Sequence, residues 1–134
     1  PWMAGPWDLW YFKENTRSGP PSINWERKIH PKKRAAFVRE WREAFRDNAA
    51  SQGLPKDLDR VGFEVLPLVP TRSLQDAGNC LPAVKAGIDG LITKDKGYGL
   101  IPDDTPRHVA WVLMYASVYE KGVSGLWVRV HDLS

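Results

Sequence analysis

With 134 residues, a single cysteine and a formal net charge of +3, the chain suits one domain with its own core and excludes a disulfide-stapled scaffold. No run approaches the roughly 18 apolar residues of a membrane-spanning helix, and no charged-then-apolar leader opens the sequence. The charge is uneven: residues 1–60 hold 12 Lys and Arg against 8 Asp and Glu, whereas residues 61–134 hold 7 against 8. Cations in one part and carboxylates in the other suit an enzyme acting on phosphodiesters, although a small basic excess is also common on soluble proteins. The lone thiol points to a reducing compartment. Pro1 and Trp2 precede Met3, and Met3 is expected to be the natural start.

In chain order, residues 7–12 (WDLWYF) alternate and are aromatic, which predicts a first strand. Gly19, Pro20 and Pro21 place a loop over 13–25. A basic run follows, with Arg27, Lys28, Lys32, Lys33 and Arg34 and no acid; it reads equally as a solvated helix start or as a contact to DNA phosphates. The spacing of Phe37, Trp41, Ala44, Phe45 and Ala49 predicts a long helix over 32–52, begun near Pro31 and ended by Gly53 and Pro55. These apolar residues read as core. Residues 61–69 (VGFEVLPLV) form a strand, with Pro67 pointing to an edge or a bulge. A second helix covers 80–92, Cys80 lying on its apolar face as a buried thiol, and 93–102 is loop with a short extended piece at Leu100 and Ile101. Residues 108–119 are too rich in Val, Trp and Tyr for helix. Glu120, Lys121 and Gly122 form a hairpin turn to a return strand over 123–131. The order β, α, β, α, β, β implies a single α+β domain over 1–134, two helices packed on a mixed, mostly antiparallel sheet.

Chemistry-bearing residues concentrate between Asp76 and Asp104. Asp76 precedes the second helix, Asp89 lies on it, and Asp103 and Asp104 follow it, so the four carboxylates can converge as ligands of Mg²⁺, with Mn²⁺ as a substitute. Lys85 stands four residues before Asp89, where it could meet an attacked phosphate or form an ordinary helical ion pair. Asp103-Asp104-Thr105-Pro106 also reads as a plain acidic turn. His30, His108 and His131 are scattered, and one Cys allows no zinc signature. Nucleotide-binding and serine-hydrolase loops are absent.

The same stretch resembles the RusA family of Holliday junction resolvases, whose motif has the form D-x-D-N-x-x-K-x-x-x-D followed, after a loop, by D-D. Lys85-Ala86-Gly87-Ile88-Asp89-Gly90-Leu91 matches the K-x-x-x-D-x-L part, and Leu100-Ile101-Pro102-Asp103-Asp104 matches the segment ending in the acidic pair. Aligning Asp76 with the first family Asp puts Gly78 at the second and Asn79 at the Asn, with three extra residues before Lys85. An ungapped alignment puts Asn79, Leu81 and Pro82 there instead. Either way at least one family carboxylate is absent. The resemblance implies a RusA-like fold and a homodimeric, Mg²⁺-dependent endonuclease that nicks four-way DNA junctions in the cytoplasm of a bacterial or phage-infected cell. It makes Asp76, Lys85, Asp89 and Asp104 catalytic, with Asp103 a further metal ligand and Arg27, Lys28, Lys32, Lys33 and Arg34 along the DNA. The absent carboxylate leaves open a branched-DNA-binding protein whose metal site has decayed. Exposed Trp residues leave open a protein-interaction module.

Overall fold

The computed structural model describes residues 6–14, 30–71 and 80–134. Strand β1 spans Trp7–Glu14, helix α1 Pro31–Gln52, strand β2 Val61–Val69 and helix α2 Leu81–Asp89. A single 3-10 turn covers Thr93–Asp95, and strands β3 (Val109–Met114), β4 (Val118–Tyr119) and β5 (Val123–Asp132) close the chain. The sheet runs β1-β5-β2-β3, with β4 also on β2. The β1–β5 and β5–β2 pairs are antiparallel and the β2–β3 and β2–β4 pairs parallel, so this is an α+β fold on a mixed, mostly antiparallel sheet.

Helix α1 starts and stops as its termini dictate. Pro31 fills the first turn, the His30 Nδ1 accepts the Lys32 N–H at 3.1 Å, and Gly53 at φ 66° takes the left-handed position past the end. Its stripe of Trp41, Phe45 and Ala49 is buried. The Trp41 ring meets Tyr11 of β1 edge-on at 4.9 Å and stacks toward Phe45 at 6.5 Å. The α2 side chains Ala83, Val84, Ala86 and Ile88 join the same core with Phe63, Val65, Leu126, Val128 and Val130 from the sheet. The two helices therefore cover one face of the sheet. On the other face Trp10, Phe12, Trp111, Leu113 and Trp127 are exposed.

Three expectations need correction. The strands flanking Glu120-Lys121-Gly122 do not pair with each other, because β2 lies between them. The turn instead wraps the end of β2, where the Glu120 N–H reaches the Val69 carbonyl at 2.9 Å and the Gly122 N–H reaches that of Pro70 at 3.3 Å. Pro67 is not on an edge strand: it pairs with Leu126 in the middle of the sheet. Val61, Val65 and Val69 all bond toward β3 and β4, so the N–H that Pro67 lacks would point into the gap between those two short strands. Helix α2 ends at Asp89 rather than at residue 92. After Gly90 the chain turns out, and Ile92 bridges Ile101, so the extended piece expected at Leu100 and Ile101 is real but a single bridge.

Cys80, at the start of α2, is 2% exposed, and burial pushes its thiol up to about 11. The thiolate fraction at pH 8 is then on the order of 100-fold below that of free cysteine. A colorimetric thiol assay should show slow labelling of the folded chain and immediate labelling in guanidinium.

Candidate functional site

Lys85 and Asp89 sit one turn apart on α2, and the Lys85 Nζ donates to the Asp89 Oδ1 at 2.8 Å. The following loop brings the acidic pair back to this helix. The Thr93 N–H reaches the Ile101 carbonyl at 3.1 Å and the Lys94 N–H that of Pro102 at 3.2 Å, which holds the two limbs of the loop together. Asp104 then meets the same Lys85 ammonium in a short hydrogen-bonded ion pair. Asp103 braces the turn: its Oδ1 accepts the Asp104 N–H at 2.8 Å, while its Oδ2 lies 3.6 Å from the Lys94 Nζ.

The electrostatics follow from this contact. Burial works to lower the Lys85 pKa, but the hydrogen bonds it donates to Asp104 and Asp89 outweigh it and hold the ammonium above its ordinary range. The Lys85 hydrogen bond, against some desolvation, holds the Asp104 carboxyl below its usual value. At neutral pH the site is thus one cation between two anions. A pocket of about 250 Å³ opens beside it, walled by Leu81, Val84, Ile88, Val109 and Val112, with Lys85 and Asp104 at its polar end. Such a wall limits water on one side of the charged groups and strengthens their field.

Two carboxylates converging on one cationic group are hard oxygen donors of the kind Mg²⁺ takes, and Mg²⁺ is commonly held by only one or two. Asp89 and Asp104 fit that chemistry. Among the described residues no cluster of three or more His, Cys, Asp or Glu side chains could hold a metal ion.

The structure thus brings together Lys85, Asp89 and Asp104, with Asp103 as their neighbour. Asp76, Arg27 and Lys28 lie outside the described residues. Lys32, Lys33 and Arg34 occupy the first turns of α1, with no acid in the first turn.

Two groups of polar residues escaped the sequence reading. On the open sheet face, Arg129 grips Asp8 through two bonds of 2.8 and 3.2 Å, and Glu64 joins the Tyr115 hydroxyl at 2.8 Å and the His131 Nε2 at 2.5 Å. These contacts span 51 to 121 residues of sequence, so no local spacing announces them. Tyr115 and then His131 hold the Glu64 carboxyl below its usual range. The second group, Arg42, Arg46, Lys94 and Lys96, lines a depression between α1 and the loop after α2. Its only advance signal was a surplus of Arg on the polar faces of α1.

Among the described residues no helix is long and apolar enough to cross a membrane. No protein-family model matches the chain, and no curated protein matches it significantly.

Proposed function

We propose that the chain is a divalent-metal-dependent endonuclease acting on branched DNA, with the four-way junction as its substrate and a homodimer as its working form. The observation that carries this reading is the Lys85 ammonium held between Asp89 and Asp104, with Lys85 and Asp104 lining one pocket. Phosphodiester hydrolysis needs both signs of charge there: a cation for the non-bridging oxygens, and carboxylates to position water and accept its proton. Asp89 and Asp104, with Asp76 and Asp103 as further ligands, would hold Mg²⁺ or Mn²⁺, which when bound supplies Lewis-acid polarisation of the phosphate and activation of water. Lys85 is the residue positioned to exchange a carboxylate partner for a phosphate oxygen, because its side chain is more than half exposed. Asp103 fixes the turn from which Asp104 reaches in. Matched incisions in two strands need two such sites, which is the reason for a dimer.

A second reading has specific support. Lys85 already satisfies both Asp89 and Asp104 within the chain, and Gly78 stands where the resembled family has an Asp. On that reading the protein binds branched DNA without cutting it.

A synthetic four-way junction and a linear duplex of the same sequence, incubated with Mg²⁺, Mn²⁺ or EDTA, separate the two. Paired, metal-dependent nicks confined to the junction are the expected result. Tight junction binding with no nick under any metal would replace the first reading by the second.

A further inference from the structure

Among the described residues, the depression is lined by Arg42, Arg46, Lys94 and Lys96, with no acid. It exists because two glycines let the chain pass close. A Cβ on Gly90 would fall on the Arg42 carbonyl, and one on Gly97 would fall on the Gly90 carbonyl. The loop bearing Lys94 and Lys96 is thereby drawn against α1. The groove continues along α1 through Arg42, which it shares with a second concavity lined, among the described residues, by Pro31, Arg34, Ala35, Val38 and Arg39, again with no acid. Among the described residues, two ion pairs border the groove: Asp47 lies 3.2 Å from the exposed Arg46, and Asp103 lies 3.6 Å from Lys94.

Two features of this track work against the free protein. Like charges gathered in one groove repel each other. Lys32, Lys33 and Arg34 also stand at the positive end of the α1 dipole, where acids are favoured, and the first turn holds none. A polyanion lying along α1 relieves both. The length suits a nucleic-acid backbone rather than one small phosphate: from Arg34 to Arg46 the helix rises about 18 Å, which corresponds to about five base-pair steps of duplex. At its far end the track meets the candidate site, since Lys94 contacts Asp103 and Asp103 holds Asp104.

We propose that Arg34, Arg39, Arg42, Arg46, Lys94 and Lys96 form a track for the phosphate backbone of one DNA duplex arm and deliver that arm to Asp104. This rests on the reading of Asp104 as part of a DNA-cleaving site, and it assigns the duplex arm to a surface that shares only Arg34 with the basic run over 27–34.

The test is fluorescence anisotropy of a labelled four-way junction with the full chain in EDTA, between about 50 and 200 mM salt. The Arg42→Gln/Lys96→Gln variant should bind about tenfold or more weaker, and its log–log salt slope should be shallower by about 2. Arg42→Lys/Arg46→Lys, which keeps the charge, should retain the wild-type slope. Lys121→Gln, which removes a cation from the turn after β4, should leave affinity and slope near wild type. If circular dichroism shows the double variant unfolded, Lys96→Gln alone, on an exposed loop position, should still lose about 1 from the slope. The proposal is overturned by an unchanged slope in the double variant, by an equal loss in Lys121→Gln, or by a wild-type chain that does not bind DNA. Because binding is read without metal, track and cleavage fail separately. Binding along the track without nicks sinks the nuclease reading alone, and nicks with unaltered binding in the variants sink the track alone.

Discussion

Asp104→Asn is expected to reduce junction cleavage by about 10²–10³-fold while junction affinity in EDTA stays within about twofold of wild type. The substitution keeps the shape and one acceptor oxygen, so the turn survives: the Asp104 backbone N–H still donates to Asp103, and the amide oxygen can still accept from Lys85. What is lost is the negative charge and the second anionic oxygen, the properties a hard cation or a water's proton requires. Asp103→Asn should cost far less, because the Oδ1 that braces the Asp104 N–H has an equivalent in the amide. Cleavage that survives Asp104→Asn would remove this site from the mechanism. The pH dependence has a defined sign. Lys85 depresses the Asp104 carboxyl, so the pair's contribution to stability is present above the ordinary carboxylate value of 3.8 and is lost as pH falls through the folded value. Lys85 itself is raised, so its contribution is present below the ordinary value of 10.5 and is lost as pH climbs through the folded value. Between those limits the site keeps its charge pattern, and a cleavage profile that falls near neutrality would have to come from another group.

The parts of this protein legible in its sequence are those set by short periods. Trp41, Phe45 and Ala49 recur at helical spacing, and that stripe is buried as the spacing requires. Lys85 and Asp89 are four apart on α2, and they pair. Contacts set by the sheet were not legible. Neighbouring strands pair by default, so β5 was expected beside the strand that precedes it, yet β2 takes the place between them. Pro67 argued for an edge, because the gap between β3 and β4 that excuses its missing N–H arises only once the sheet is assembled. Asp8 and Arg129 meet because β1 and β5 are antiparallel neighbours, across 121 residues of sequence. The basic track was hidden for a similar reason. Arg42 and Lys96 belong to different elements, and the absence of a Cβ at residues 90 and 97 lets them meet in one groove.

That dependence on Gly90 gives Gly90→Ala a large expected cost in stability, a loss of about 3 kcal/mol and about 10 °C in Tm, read by thermal unfolding. The backbone at Gly90 is right-handed, with φ −66° and ψ −15°, so alanine meets no conformational penalty there and the cost is purely one of space. The added methyl would fall on the Arg42 carbonyl oxygen and lie 3.0 Å from its carbon. Both are backbone atoms inside a 22-residue helix, and neither can yield by a change of rotamer. Gly53→Ala is the comparison: its φ of 66° is strained for alanine, but no atom lies within 4 Å of the new methyl. It should cost only about 1 kcal/mol. If Gly90→Ala proves no worse than Gly53→Ala, the loop after α2 can lift from α1, and the groove is not held by that contact. If it is markedly worse, the packing that stabilises the fold is also what sets Lys94 and Lys96 beside Arg42. The geometry of the basic track is then a property of the core, and loosening this contact should flatten the salt dependence of DNA binding along with the unfolding curve.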